Sequence, residues 1–220
     1  MKKILSFAAI VAAIVAFSSC KSKVDLTPYV SQIRSDIFRG ESENYAVTSY
    51  LETKERPLVA DGKASGMLPA IVVRLTVKGE IDETLSGAKV TFTVDKEYSA
   101  LFTFRPESDV YVASCYTDAL PQKALTVTVS AGGTEENVEL FSIAEGIASP
   151  LKALNAASAA NDEFFRTEEF SSMKFEINIR LLEDDGRFFY YVGFVTKDET
   201  YATLVSADGE KVLTKRTVKN

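Results

Sequence analysis

Histidine is absent from the 220 residues. That removes Ser-His-Asp and Cys-His arrangements, the common zinc sites and any imidazole acid–base step near neutral pH. Ser-x-x-Lys spacings occur, among them Ser149 to Lys152 and Ser171 to Lys174, as in serine acyl-enzymes, but the Ser-Asp-Asn and Lys-Thr-Gly elements that accompany them are missing. Ser149 precedes Pro150 as a helix cap would, and Lys174 falls on the wet side of an alternating run, so no catalytic residue is assigned. Glu183, Asp184 and Asp185 crowd one bend, and Asp198 and Glu199 the next. Calcium needs several oxygens converging on one point, and no Asp-x-Asp-x-Asp-Gly loop supplies them, so these carboxylates read as solvated turn residues. With glycine-rich phosphate loops also absent, neither a metal nor a cofactor is expected.

Aromatic rings are the most suggestive chemistry left. Phe188-Phe189-Tyr190-Tyr191, followed by Phe194 and Tyr201, puts large side chains on both faces of one strand. Such a strand is buried on both sides or offers rings to a partner. Tyr190, Tyr191 and Tyr201 are the candidate contact residues, with packing against a neighbouring domain as the alternative.

The chain opens Met1-Lys2-Lys3, continues in an apolar run from Ile4 to Phe17 and reaches Ser18-Ser19-Cys20. This charged, apolar, small-residue order is that of a secretory signal. It resembles the bacterial lipoprotein subclass, in which cleavage before the cysteine leaves a thiol that carries diacylglycerol; the resemblance implies removal of residues 1–19 and lipidation of Cys20. Phe17 stands where that subclass usually has leucine. The run is short of the roughly twenty apolar residues of a spanning helix. Acyl chains together hold a protein stably at a membrane surface, so an extracytoplasmic, membrane-bound location is expected. If Cys20 is acylated, Cys115 has no partner for a disulfide, and its strand-like run from Val110 to Tyr116 makes it a small buried residue beside Tyr111 and Ala113.

The formal charge is −6, and loss of Lys2 and Lys3 with the leader takes it to −8. An acidic chain argues against a nucleic-acid partner. Residues 20–43 read as a tether with a short helix, because Thr27-Pro28 resembles a cap and first helical residue and Tyr29, Ile33 and Ile37 recur every four positions; Ile37-Phe38 equally lead into a strand. Over 44–145 the pattern predicts seven strands near 45–52, 70–78, 88–94, 100–104, 110–116, 124–131 and 135–142, with bends at Asp61-Gly62, Lys78-Gly79, Ser86-Gly87, Asp95-Lys96, Glu107-Ser108 and Gly132-Gly133. An antiparallel β-sandwich of immunoglobulin type follows, without that family's Trp, since tryptophan is absent. Over 146–220 a helix begins at Pro150, with Leu151, Leu154 and Ala157 forming its stripe. The alternation of Met173, Phe175, Ile177, Ile179 and Leu181 then opens a meander continued by 188–196, 200–206 and 211–216. The predicted class is α+β, mostly β.

Leu151-Lys152-Ala153-Leu154, Tyr190-Tyr191-Val192-Gly193-Phe194 and the stretch from Leu204 to Leu213, with its Ala207-Asp208-Gly209 turn, resemble the helix, central strand and closing hairpin of a PepSY-type domain. Ser206 stands where that family often has aspartate. The resemblance implies a helix-on-meander domain that binds or restrains a protein of the cell envelope, such as a secreted peptidase. The expectation is therefore a lipid-anchored, non-enzymatic interaction module. Its rivals are a structural component of an envelope complex or surface layer, and a hydrolase using paired carboxylates alone.

Overall fold

The computed structural model describes residues 24–56, 62–79, 85, 87–117, 119, 121 and 123–220. The leader, Cys20, Lys21, Lys23, Asp61 and Ser86 lie outside the described residues. Thirteen strands join in one sheet: β1 (Val30–Glu41), β2 (Tyr45–Glu55), β3 (Met67–Val77), β4 (Lys89–Thr93), β5 (Glu97–Leu101), β6 (Thr103–Arg105), β7 (Val110–Tyr116), β8 (Ala124–Ala131), β9 (Thr134–Ser142), β10 (Glu176–Asp184), β11 (Arg187–Val195), β12 (Glu199–Ser206) and β13 (Val212–Lys219). Among the described residues, two α-helices, α1 (Pro150–Ala160) and α2 (Glu168–Ser171), and a 3-10 turn between them, Phe164–Arg166, complete the elements that matter for packing. The class is α+β with β predominant.

The segment expected to hold a helix is instead a single 3-10 turn, Thr27–Tyr29, running directly into β1. A spacing of four residues is close to one helical turn, but it is also two full pleats of a strand. Tyr29, Ile33 and Ile37 therefore fit both, and β1 is decided by the hydrogen-bonding partners on its two edges. On one edge it pairs antiparallel with β2 along most of its length. On the other, its first half runs parallel to β10 from Val30↔Ile177 to Arg34↔Arg180. Its second half meets β9 at Phe38↔Ser142 and Arg39↔Phe141. The change of partner coincides with a bulge at Asp36, whose φ of 49° lies in the left-handed region that aspartate tolerates better than most residues.

Strands β1 to β9 form a near-closed barrel, with the order β5-β4-β8-β9-β1-β2-β3-β7-β6. From the other half of β1 the sheet continues as β10-β11-β12-β13. The alternating run expected from Met173 starts as a strand only at Glu176: Met173 is exposed with φ 57°, and Phe175 is buried just before the strand.

Two cores result. One, inside the barrel, gathers Phe38, Val47, Leu51, Ile71, Val73, Leu75, Val90, Val127, Val138, Leu140 and Cys115. The other gathers α1 residues Ala153, Leu154 and Ala157 with Ile177, Ile179, Leu181, Tyr190, Val192, Phe194 and Val205. Phe164 sits at its centre, its ring centroid 4.7 Å from that of Phe194, 5.1 Å from Phe175 and 5.6 Å from Tyr201. Strict alternation makes β2 and β3 a wall between the two. Ile71, Val73 and Leu75 belong to the barrel core while Val72 belongs to the other, and Tyr50 does the same beside Val47 and Leu51. Full burial of each such side chain stabilises by about 1.5–3 kcal/mol.

The linker from β9 to α1 is pinned at three points. Ile143 donates to the Ile37 carbonyl at 2.9 Å, Ala148 to the Ala207 carbonyl at 3.0 Å, and the Tyr190 hydroxyl donates to the Ala148 carbonyl at 2.6 Å. Asn161 closes the far end of α1 by donating to Ala157 and Thr203.

Gly40 marks the closest approach of β1 to β9: a Cβ there would stand 2.1 Å from the Glu139 carbonyl oxygen. Gly40→Ala is expected to cost about 1–3 kcal/mol, because backbone rather than a flexible side chain must yield. Chemical denaturation of the variant checks this; an unchanged midpoint would mean that β1 and β9 are not locked together.

Candidate functional site

The burial of Ile177, Ile179 and Leu181 against α1 turns Asn178 and Arg180 to the opposite face of β10. Cross-strand register then carries one row over that face: Leu204, Tyr191, Arg180, Arg34, Glu52, Ala70 and Tyr116, on β12, β11, β10, β1, β2, β3 and β7. The next row includes Asn178, Gln32 and Lys54. Neighbouring strands are about 4.8 Å apart, so Arg34 and Arg180 stand side by side with the same charge.

A short polar chain fixes part of this face. Arg180 donates through Nε to Gln32 Oε1 at 2.8 Å, and Gln32 donates through Nε2 to Glu52 Oε1 at 2.5 Å. Gln32 is itself buried, so its amide is held in one orientation. The Arg34 guanidinium lies 4.0 Å above the centre of the Tyr50 ring, and that of Arg180 is 5.8 Å from Tyr191. The Tyr191 ring reaches over Gly193, where a Cβ would meet its hydroxyl at 2.6 Å.

Arg34 departs from ordinary practice. Its Nε is buried with no acceptor, although buried polar groups are nearly always paired. Burial pushes its guanidinium below the ordinary arginine value, Arg180 and Arg74 push the same way, and Tyr50 and Glu52 oppose them. Arginine stays charged regardless.

Of the tyrosines expected at a contact surface, Tyr190 is 2 % and Tyr201 9 % exposed, both within the α1 core. Tyr201 donates to Glu199 at 3.0 Å. Only Tyr191, half-buried, lies on the face away from α1. The Ser-x-x-Lys pairs are not brought together as dyads. Ser149 makes no side-chain capping bond, Lys152 pairs with Glu210 at 2.9 Å, and Ser171 donates to the Thr167 carbonyl. The turn carboxylates are engaged locally: Glu183 accepts from Gly186 and pairs with Arg39, and Asp184 lies 3.7 Å from Arg187. Among the described residues no group of three or more Cys, Asp or Glu could hold a metal ion. Cys115 is a buried free thiol whose pKa is raised by burial, inert by that criterion.

The sequence reading passed over Gln32, Arg34 and Glu52. The available signal was the polar face of the 176–182 alternation, which places Asn178 and Arg180 away from the core.

Burial, reinforced by the charge of Asp36, pushes the Tyr190 hydroxyl from 10.0 up to about 12. Because the folded value is the higher one, this contribution to stability is complete below pH 10 and disappears as pH rises through 12. The unfolding midpoint of the wild type should therefore fall more steeply between pH 10 and 12 than that of Tyr190→Phe. At neutral pH the variant should lose about 1 kcal/mol for the hydrogen bond to Ala148. Parallel alkaline profiles would place Tyr190 in a wetter setting. No family model, no curated protein and no solved structure matches this chain.

Proposed function

We propose that this chain is a bacterial lipoprotein, held at a membrane surface outside the cytoplasm by acylated Cys20, and that it acts as a non-enzymatic binding module through the face bearing Tyr191. The observation that carries the reading is the junction between leader and fold. A charged start and an apolar run end at Ser18-Ser19-Cys20, and Leu26, six positions on, is already a buried core residue. Six extended residues span at most about 20 Å, so the domain rides directly on its anchor.

An immunoglobulin-like sandwich for the first part of the chain and a PepSY-like domain for the second belong to this proposal. The antiparallel pairing of β1 to β9 around one apolar core supports the first, and one helix packed on a four-strand meander supports the second. Restraint of an envelope protein is the activity the PepSY resemblance implies. A structural role in an envelope assembly is the second reading, favoured by β13, an edge strand exposed along nearly its whole length and open to pairing with another chain.

Mass spectrometry of the protein recovered from bacterial membranes tests the anchor. The expected product begins at Cys20, lacks residues 1–19 and carries a thioether-linked diacylglycerol; Cys20→Ala should leave the leader uncut. An intact leader, or a free thiol at Cys20 in the native product, overturns the proposal.

A further inference from the structure

We propose that residues 164–174 are a membrane-docking face, which lays Met173, with Phe165 and Phe170 beside it, against the surface of the lipid bilayer that carries the anchor. The inference rests on the reading of Cys20 as acylated and goes beyond it by fixing which end of the domain meets the lipid.

The chain itself sets the geometry. Val24, the first described residue, is four positions from Cys20, so at most about 14 Å of extended chain separates the fold from the lipid. Near that entry Tyr29 stacks on Phe175 with ring centroids 4.8 Å apart, Phe175 stacks on Phe170 at 5.7 Å, and Phe170 meets Phe165 edge-on at 5.0 Å. A second route closes on the same place. Ala64 donates to the Pro28 carbonyl at 2.8 Å, and Gly62 backs Met173 so closely that a Cβ there would stand 2.2 Å from the Met173 carbonyl oxygen.

Met173 is a conflict that packing does not explain. Its φ of 57° is a conformation that bulky side chains rarely adopt. Hydrogen bonds hold it there, from Met173 to the Phe170 carbonyl at 3.1 Å and from Lys174 to the Glu169 carbonyl at 2.8 Å. The side chain so presented is apolar and 37 % exposed, and Phe165 and Phe170 of the same segment are only half-buried. Glycine or asparagine would suit both the backbone and the water; methionine gains only when apolar material covers it. For a chain acylated at Cys20 the bilayer is that material. Arg166 and Lys174 are exposed in this segment, but Glu168 and Glu169 balance their charge, so apolar contact rather than attraction to an anionic surface carries the docking. A tether this short presents the face to the bilayer at an effective concentration on the order of millimolar, and a weak contact suffices to orient the domain. β10 then leads away from the lipid from Glu176, and Tyr191, opposite Arg180, stands clear of it.

Tryptophan is absent from the chain, so Met173→Trp supplies a lone fluorescent reporter at the docking point. The test uses the mature protein recovered from bacterial membranes and reconstituted into vesicles of brominated phosphatidylcholine, with unbrominated vesicles as reference. Phe141→Trp, at an exposed position opposite Arg39 on the second half of β1, is the control. Emission of Met173→Trp should fall about twofold or more in the brominated vesicles, as expected of a ring seated at the headgroup boundary, while that of Phe141→Trp stays unchanged. Lys174→Trp, also exposed, keeps the test open if Met173→Trp fails to fold. No quenching at position 173, or equal quenching at 141, overturns the proposal. A shift to shorter wavelength without quenching overturns it too, because a protein neighbour or a second copy then covers the face. The mass at Cys20 is read on the same sample: an acylated protein with an unquenched reporter loses this orientation alone, whereas an intact leader removes the anchor and the orientation together.

Discussion

One strand serving three partners is the constraint on which the remainder of the molecule depends. β1 has two edges, and β2 occupies one of them along most of its length. The other edge must be shared, because β10 takes the residues before Asp36 and β9 those after it. An uninterrupted pleat cannot turn its edge toward two diverging strands; the extra residue of a bulge, with its added twist, allows it. Asp36 supplies that residue at a modest conformational cost, since aspartate is among the non-glycine residues that enter the left-handed region most readily. Through this point the barrel and the helix-covered meander share hydrogen bonds rather than a loose interface.

The same arrangement explains why a polar row lies across the middle of the sheet. β2 and β3 already spend alternate residues on two cores, with Val72 on one side and Ile71 and Val73 on the other. Where β10 joins β1, the row carries the polar side chains of Gln32, Arg34, Glu52 and Arg180, with Arg34 laid over the buried Tyr50 ring. Gln32 spends its amide nitrogen on Glu52 and its oxygen on Arg180, which fixes the network but leaves Arg34 to the Tyr50 ring. A cation over an aromatic face gains about 0.5–2 kcal/mol, which offsets part of the cost of burying its Nε. A row that is rigid, cationic and only partly satisfied is the kind of local conflict found where function rather than stability selects the residues.

Much of the framework was legible from pattern alone. Alternation and bends located β2, β3, β4, β7, β8, β9, β11 and β12 to within a few residues, and Ser149-Pro150 located the start of α1 even though the serine side chain makes no cap. These are local signals, set by pleat and turn. β1 was harder to read because its apolar spacing suits both strand and helix, and because what settles it lies far along the chain: Ile177 to Arg180 supply the parallel edge. Pairing across nearly 150 positions leaves no periodic trace in either segment. For the same reason Arg34 and Arg180 look like isolated polar residues in sequence and become neighbours only through register.

The four consecutive aromatics of β11 show how register resolves what composition leaves open. Large rings at 188, 189, 190 and 191 carry no alternation, so the sequence cannot say which tyrosine is inside. The pairing Leu181↔Tyr190 joins a core leucine to Tyr190, and Arg180↔Tyr191 joins a polar neighbour to Tyr191. A slip of one residue would exchange them, placing Arg180 opposite a buried ring and releasing the Ala148 carbonyl from Tyr190. The hydroxyl bond to Ala148, the burial of Ile177 and Ile179 beneath α1 and the tether at Ala207 all favour the observed register. The helix that packs one face of the meander therefore also determines which tyrosine faces away from it.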